Sequence, residues 1–267
     1  MELQGRLDDI RRAGQSLVAV SYDPVPVLAD FAARRGITFP LLSDPGSAVI
    51  TEYGLLNTTV APTNKLQYGI PFPGTFVLDR QGIVTARFFE TAYQERDTIS
   101  SVMVRLGKTL DAPATKVSAP HLEITTFASD QTVAPGTHFS LVLDMTPGKN
   151  VHVYAPGVKG YKPIALRIQA QPGLVVRDAR FPEAEDYHFK PLDEHVLVYQ
   201  RPFRIIQDLM IDPSSEAAAA LKGRAALTIA ATLDYQACDD KVCFIPQSVP
   251  LRWTVALKPL DRERVKQ

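Results

Sequence analysis

Several features that would point to common classes of protein are scarce or missing in this sequence. It has two cysteines, 29 Lys and Arg against 29 Asp and Glu, and no block of basic residues. Nucleic-acid-binding proteins carry a basic patch, so we expect no nucleic-acid partner. No run of 18 apolar residues occurs, which predicts that no segment spans a membrane. Residues 1–14 are polar and helical in pattern, without the apolar core of a signal peptide.

The sequence also lacks the spacing of cysteines and histidines that is typical of metal sites. A closed zinc site needs four nitrogen or sulfur ligands, and no second Cys-x2-Cys or His-x3-His accompanies the two cysteines. We therefore predict no metal and no cofactor. The histidines His121, His138 and His195 are scattered and receive no role.

The two cysteines, Cys238 and Cys243, are separated by four residues and lie between two β-prone runs, Ala225–Leu233 and Val249–Leu257. A turn between strands can bring their Cα atoms within the roughly 4.4–6.8 Å that a disulfide needs. Closing so small a loop stabilises a protein by about 2 kcal/mol, which is little for a chain of this length. A bridge that opens and closes is the favoured interpretation. Unpaired cysteines and a permanent structural disulfide stay open as alternatives.

The second half of the sequence is rich in short strand patterns separated by Pro-Gly turns, such as Ala134-Pro135-Gly136. Such spacing predicts an all-β sandwich over residues 120–258. Residues 111–119, rich in Ala and Pro, read as a linker, and residues 259–267 as a charged tail. The segment Asp212–Gly223 predicts a short helix. The predicted strands are Leu122–Thr126, Phe139–Leu143, Asn150–Tyr154, Ile164–Ile168, Leu174–Arg177, Glu194–Tyr199, Phe203–Met210, Ala225–Leu233 and Leu251–Leu257.

The string Tyr235-Gln236-Ala237-Cys238, with Cys243-Phe244-Ile245-Pro246 after it, resembles the cysteine hairpin of the DsbD N-terminal domain family. The resemblance covers residues 120–257. It implies an immunoglobulin-like periplasmic or envelope domain that passes reducing equivalents by thiol–disulfide exchange. The two cysteines would be the redox pair, with Cys238 as the attacking or exchanged residue. The partner would be a thioredoxin-like or membrane thiol–disulfide protein.

The same resemblance implies further site residues. In that family a loop covers the cysteines, and by position it would match Glu185, Asp186, Tyr187 and the two residues after them. A carboxylate there would raise a thiol pKa, and the aromatic rings would cover the sulfurs. Tyr154 resembles a tyrosine that faces the cysteines. Both assignments have a structural alternative. Residues 185–189 would then form a solvated loop, and Tyr154 would be a tyrosine of the core.

Two acidic residues, Asp239 and Asp240, lie inside the cysteine turn. They are either turn formers or charges that raise a nearby thiol pKa and slow its attack. Tyr235 precedes Cys238 by three residues, so strand alternation puts it on the other face, where we expect packing.

The first half, residues 1–110, alternates helix and strand patterns and predicts an α/β sheet. An amphipathic helix starts the sequence, and strands are expected at Leu17–Val20 and Phe39–Leu42. Asp23 is expected to cap a second helix with Pro24 at its first position. Further helices are expected from Ser43-Asp44-Pro45 and near Asp97–Leu106, with a β-hairpin formed by Thr75–Leu78 and Ile83–Phe88.

These residues resemble the redoxin branch of the thioredoxin fold, the AhpC/TSA proteins. The matching strings include Phe39-Pro40-Leu41-Leu42-Ser43-Asp44-Pro45 and Pro73-Gly74-Thr75-Phe76-Val77-Leu78-Asp79. Pro73 matches a cis-proline that lies against the family's active-site cysteine, so we predict a cis bond. No cysteine precedes Cys238, and the strand that would come first is missing. We therefore expect a redoxin domain truncated at its N-terminus and less stable than the second half.

Three functions are consistent with these patterns. The first is a thiol–disulfide oxidoreductase or electron carrier that uses Cys238 and Cys243. The second is a peroxiredoxin-like antioxidant protein, serving cell redox homeostasis, whose catalytic cysteine lies in a missing N-terminal segment. The third is a non-enzymatic interaction module in which the cysteines form a permanent bridge.

Overall fold

The structure is a computed structural model that describes residues 2–64, 68, 70–89, 95–189 and 193–258. It divides into two compact units, residues 1–102 and 103–267. The predicted charged tail, residues 259–267, lies outside the described residues. No helix in the described ranges is long and apolar enough to cross a membrane.

The first unit contains short helices and short strands. Pro24 precedes the longest helix, which ends where Gly36 takes up a left-handed backbone conformation (φ 61°). Asp23, expected to cap it, instead accepts a hydrogen bond from the Ser21 hydroxyl (2.7 Å). The elements are α1 (Glu2–Gly5), α2 (Leu7–Arg12), β1 (Ala19–Ser21), α3 (Val25–Arg35), β2 (Leu41–Ser43), α4 (Ala48–Glu52), β3 (Gly74–Leu78), β4 (Val84–Phe89), β5 (Arg96–Asp97) and α5 (Ile99–Arg105). Helix α5 begins in this unit and ends three residues after its last residue.

Four of the described strands of this unit, β1 to β4, form two separate two-stranded sheets. β1 and β2 pair in parallel, with Val20 opposite Leu42, and β3 and β4 form the expected antiparallel hairpin. In the described residues, β1 and β3 are not paired with each other. Val20 and Leu42 are both exposed, so one face of the parallel pair is uncovered.

Pro73 and Gly74 lead into β3. The described residues contain no cis peptide bond, so the bond before Pro73 is trans and the cis prediction is wrong. Gly74 is required by close packing, because a Cβ atom there would come within 2.8 Å of the Phe89 ring. The Pro-Gly pair therefore serves to start the hairpin against an aromatic side chain.

We expect the first unit to unfold before the second when the full chain is heated. Two-stranded sheets are marginally stable, and the midpoint should be lower by about 10 °C, equivalent to a difference of one to two kcal/mol. Far-UV circular dichroism follows the helices, most of which lie in the first unit, while the sole tryptophan, Trp253, reports on the second by its fluorescence. Coincident transitions by the two probes would contradict this prediction.

The second unit is a β-sandwich. Every strand predicted for it is present, within a few residues at each end. The elements are β6 (Thr115–Ala119), β7 (Leu122–Ala128), β8 (Thr132–Val133), β9 (Thr137–Pro147), β10 (His152–Tyr154), β11 (Ala165–Ile168), β12 (Leu174–Arg180), β13 (Glu185–Phe189), β14 (Glu194–Tyr199), β15 (Phe203–Ile211), α6 (Ser215–Ala220), β16 (Ala226–Tyr235), β17 (Ala237–Cys238) and β18 (Gln247–Leu257).

In its described residues this unit has three sheets. The first has the order β12-β15-β9-β7-β6, the second β11-β16-β18-β8, and the third β13-β14-β10-β17. Alternating apolar residues of β7, β9 and β15 pack against those of β16 and β18 to form the core. Trp253 donates from its indole nitrogen to the Thr126 hydroxyl across this core (2.9 Å).

The linker prediction is wrong for part of its length. Residues 115–119 form β6, whose backbone pairs with all of Leu122–Thr126 in β7. The sequence of this strand, Thr-Lys-Val-Ser-Ala, has one large apolar residue, so its pattern is too weak to show a strand at the edge of a sheet. Tyr235 is fully buried and donates its hydroxyl hydrogen to the Pro120 carbonyl (2.7 Å), in agreement with the expected packing role.

Candidate functional site

The cysteines lie where the chain passes from one sheet of the sandwich to another. β16 and β18 are antiparallel neighbours, with Tyr235 opposite Gln247 at the end of the pair. After Gln236 the chain leaves this sheet, and β17 pairs instead with β10, so that His152 lies opposite Cys238. Gln236 holds the crossing in place, because its side chain donates to the Phe244 carbonyl (3.1 Å).

Cys238 and Cys243 form a disulfide, with their sulfur atoms 2.10 Å and their Cα atoms 4.1 Å apart. The unpaired alternative is therefore wrong. Asp239 shapes the turn between them, because one of its carboxylate oxygens accepts the backbone N–H groups of Lys241 (2.7 Å) and Val242 (2.8 Å). These hydrogen bonds, that of Val242 first, hold the pKa of Asp239 below its usual value. Asp239 thus acts in the structure as a turn former.

The two sulfur-bearing residues differ in exposure. Cys238 is 1% exposed and lies in a cluster with Tyr154 and Val198, whereas Cys243 is exposed on the turn. Cys243 is therefore the more accessible of the two residues to a partner thiolate. The expectation that Cys238 is the exchanged residue does not fit this geometry, because the strand pairing with β10 buries it.

A pocket of about 240 Å³ opens beside the disulfide, and five of its eleven lining residues carry aromatic rings. His152 and Tyr154 project into it from β10, because residues two apart on a strand share a face. Tyr154 was predicted to face the cysteines, and its hydroxyl lies 3.4 Å from the Cys243 sulfur. The lining residues are His152, Tyr154, Tyr161, Tyr187, Phe189, Val196, Cys238, Asp239, Lys241, Val242 and Cys243.

The segment expected to cover the cysteines as a loop is instead the strand β13, paired with β14 in a hairpin. Tyr187 points inward, packs on the cluster around Cys238, and donates its hydroxyl hydrogen to Asp240 in the cysteine turn (2.8 Å). Burial first, and then this hydrogen bond, raises the pKa of Tyr187. This hydrogen bond links the hairpin to the cysteine turn.

The two acidic residues expected beside the sulfurs are placed elsewhere. Glu185 accepts a hydrogen bond from Arg201 (3.0 Å), and Asp186 lies on the outward face, 2.8 Å from the ring of His195. Neither lines the pocket. Strand alternation explains Asp186, since it sends neighbours of Tyr187 to the opposite face. Glu185 lies outside the pocket because it is paired with Arg201. Both pKa-tuning predictions are therefore contradicted by their positions.

Sequence reasoning missed Tyr161 and Glu194. The Tyr161 hydroxyl donates to the Glu194 carboxylate (2.6 Å), and its ring stacks on Tyr154 with centroids 4.2 Å apart. The hydrogen bond to Glu194 raises the pKa of Tyr161, and burial followed by the nearby Tyr161 raises that of Tyr154 well above its usual range. No signal in the sequence pairs Tyr161 with Glu194, because they are 33 positions apart.

His152 was also missed, although its spacing from Tyr154 was a usable signal. It is 3% exposed, and its ring lies 4.5 Å from that of Tyr187, centroid to centroid. Burial lowers the pKa of His152, while the charges of Asp240 and Asp239 act in the opposite direction. The imidazole is thus held neutral beside the disulfide at neutral pH.

The described residues contain no group of three or more His, Cys, Asp or Glu side chains that could hold a metal ion. The reactive group that the structure does show at this site is the sulfur pair itself. An exposed cysteine residue bonded to a buried one, beside the Tyr154 hydroxyl, suits nucleophilic exchange at the more exposed residue.

Comparison with known families supports both resemblances. Residues 1–87 match the model of the AhpC/TSA family, and residues 124–251 match the model described as thiol:disulfide interchange protein DsbD, N-terminal. The predicted fold classes are confirmed: a redoxin domain is followed by a domain whose fold is an immunoglobulin-like β-sandwich.

Curated relatives match about a third of this chain. Alkyl hydroperoxide reductase E of Mycobacterium tuberculosis (strain ATCC 25618 / H37Rv) is 38% identical over 91 residues, which are 33% of this chain and 53% of that protein. The protein of the same name from Mycobacterium bovis matches equally. The chain spans about half the length of these curated relatives.

Two solved structures are similar to part of this chain. The N-terminal periplasmic domain of ScsB from Proteus mirabilis has a TM-score of 0.38 at 13% identity, covering 55% of this chain and 54% of that one. The DsbD N-terminal domain of Neisseria meningitidis in the reduced form has a TM-score of 0.30 at 11% identity, covering 44% and 81%.

Proposed function

We propose that this protein is a thiol–disulfide oxidoreductase, an electron carrier that works through Cys238 and Cys243. The two matched domains fit thiol–disulfide exchange in general. The observation that supports this particular pair is the unequal placement of its two cysteine residues, one exposed on a turn and one buried in a cluster with Tyr154 and Tyr187. A bridge that closes a loop this small stabilises the fold by only about 2 kcal/mol. Stabilisation of the fold is therefore a weak explanation for a disulfide at this position.

The exchange has two steps. A partner thiolate attacks the Cys243 sulfur, the Cys238–Cys243 bond breaks, and Cys238 leaves as a thiolate that takes up a proton from solvent. A second partner thiol, as its thiolate, then attacks the partner sulfur of the mixed disulfide and releases Cys243. The partner dithiol has been oxidised to a disulfide, and this pair has been reduced to a dithiol. The reverse sequence reduces an oxidised partner.

The partner we propose is a thioredoxin-like or membrane-bound dithiol protein of the cell envelope. The match to the DsbD N-terminal family supports this class. The surface around Cys243 also suits a protein partner, because Val242 (53% exposed) and Ile245 (80% exposed) place apolar side chains beside the reactive sulfur.

A peroxiredoxin-like antioxidant function is the second candidate. It is favoured by the match of residues 1–87 and by the relatives named alkyl hydroperoxide reductase E. Reduction of a peroxide needs a thiolate of low pKa. No cysteine precedes Cys238 in this sequence, so any such activity of this chain would draw on the same two thiols.

Equilibration in redox buffers tests the proposal. The full chain is incubated in dithiothreitol and glutathione buffers of graded potential, and the fraction of disulfide is measured by alkylation and mass spectrometry. We expect a midpoint above about −300 mV, the range of exchangeable disulfides. A bridge that stays closed at lower potentials would support a structural role instead.

The same preparation separates the two candidate functions. The reduced protein is mixed with hydrogen peroxide, and thiol loss is compared with that of the Cys238→Ser, Cys243→Ser double variant and of free cysteine. Loss no faster than that of free cysteine supports the carrier, whereas a much faster reaction supports the antioxidant function.

A further inference from the structure

His121, to which the sequence patterns assigned no role, lies against the cysteine turn. It is in the connection between β6 and β7, and its ring stacks on that of Phe244, with centroids 3.7 Å apart and an interplanar angle of 12°. Phe244 directly follows Cys243, the exposed cysteine of the pair. His121 therefore contacts the neighbour of the residue that a partner thiolate would attack.

The backbone of His121 has a left-handed conformation, with φ at 63°. Glycine adopts this conformation at no steric cost, whereas a residue with a Cβ atom pays for it, even though histidine is found there more often than most residues. Such a conformation is retained where something else requires the side chain. The stacking on Phe244 gives a physical reason for a ring at a position that glycine would occupy with less strain.

Phe244 is the residue that anchors Cys243 to the sandwich. Cys238 and Cys243 lie opposite each other as an antiparallel pair. On the side of this pair away from the turn, the Phe244 N–H group donates to the Ala237 carbonyl (2.9 Å). The Phe244 side chain also packs against the core of the sandwich. Whatever fixes Phe244 therefore limits how far Cys243 can move from Cys238.

We infer that His121 is a positioning residue that keeps Cys243 close to Cys238 after reduction, by stacking on the Phe244 ring. The balance between dithiol and disulfide depends on the effective concentration of one thiol beside the other. With the ring held, Cys243 has little freedom to lose when the bond forms again. Without His121, the reduced segment gains freedom that the disulfide has to remove. The inference rests on the proposed function, since it concerns the redox potential of the same pair.

The test is the equilibrium of the full chain with glutathione and dithiothreitol buffers, measured by alkylation and mass spectrometry. With glutathione, the Cys238–Cys243 bond breaks, two glutathione sulfurs join in a disulfide, and their two hydrogens pass to the cysteines. We expect His121→Gly to make the protein disulfide about fivefold less stable relative to the dithiol, as for the loss of one aromatic pair. The potential should rise by about 20 mV. His121→Asn, which tolerates the left-handed backbone and lacks the ring, should act in the same way.

Two further variants separate the ring from the backbone. His121→Phe keeps a ring that can stack on Phe244, so it should keep the wild-type potential. Asn150→Gly is the matched control, because Asn150 is exposed and also left-handed, with φ at 59°. It places a glycine at such a position without removing a stacked ring, and it should leave the potential unchanged. The fluorescence of Trp253 checks that each variant is folded.

An unchanged potential in His121→Gly and His121→Asn would overturn the inference. An equal shift in His121→Phe would also overturn it, because the effect would then come from the imidazole and not from stacking, and so would an equal shift in Asn150→Gly. The comparison between variants holds at whatever potential the pair is reduced. Failure of the proposed function would look different, because the disulfide of every variant would then open only at the low potentials typical of structural disulfides.

Discussion

Cys238→Ser is expected to leave a highly reactive thiol at Cys243, whereas Cys243→Ser is expected to leave an unreactive one at Cys238. The reason is the difference in exposure, since Cys238 is 1% exposed and its strand is paired with β10. Reaction at Cys238 has to wait for local opening of the site. An opening free energy of about 3 kcal/mol would slow it roughly 100-fold.

The measurement is the rate at which each single-cysteine variant reacts with the small disulfide 5,5′-dithiobis(2-nitrobenzoic acid) under native conditions. In denaturant the two variants should react at similar rates, which shows that the fold causes the difference. A thioredoxin variant lacking its resolving cysteine, activated by the same reagent, should form a mixed disulfide with Cys238→Ser and little with Cys243→Ser. Equal native rates for the two thiols would contradict the assignment of Cys243 as the attacked sulfur.

Tyr187→Ala is expected to speed the reduction of the disulfide by dithiothreitol about tenfold. Removing the ring takes away both the hydrogen bond to Asp240 and the aromatic cover over the cluster around Cys238. The fold-change corresponds to about 1.4 kcal/mol, in the range of one hydrogen bond with some buried area. Tyr187→Phe keeps the ring and should show only the smaller part of the effect, a few-fold.

The neighbouring residue provides the matched control. His188 lies next to Tyr187 on β13 but points outward, where its ring stacks on that of His195. His188→Ala should therefore leave the rate of reduction unchanged. An equal acceleration in His188→Ala would mean that the hairpin was destabilised as a whole, and the specific role of Tyr187 would be wrong.

Local patterns predicted most of the second unit, because its strands are long and alternate clearly. β14 was predicted at its observed bounds, and β16 and β18 were placed correctly around the cysteine turn. The edge strands β6 and β13 were not predicted as strands. Their sequences are polar, and pairing with a neighbouring strand, which a local pattern cannot show, decides their conformation.

The site was predictable where the residues are close in sequence and not where the fold assembles it. Cys238, Cys243 and Asp239 lie in one turn, so their proximity follows from spacing. The unequal exposure of the sulfurs depends on β17 leaving the sheet of β16 for that of β10, and no periodicity shows such a change of partner. The contact of Tyr161 with Glu194 likewise comes from the tertiary fold.

The pairing of β17 with β10 also limits how much of the surface around the cysteines differs between the oxidised and the reduced protein. Cys238 is fixed in a sheet, and Phe244 is fixed by its backbone hydrogen bond to Ala237 (2.9 Å). Breaking the sulfur–sulfur bond therefore releases chiefly residues 239–243, while the sandwich around them keeps its shape. A partner protein can therefore distinguish the oxidised from the reduced protein only through these few residues. The rest of the surface that it contacts has the same structure in both oxidation states.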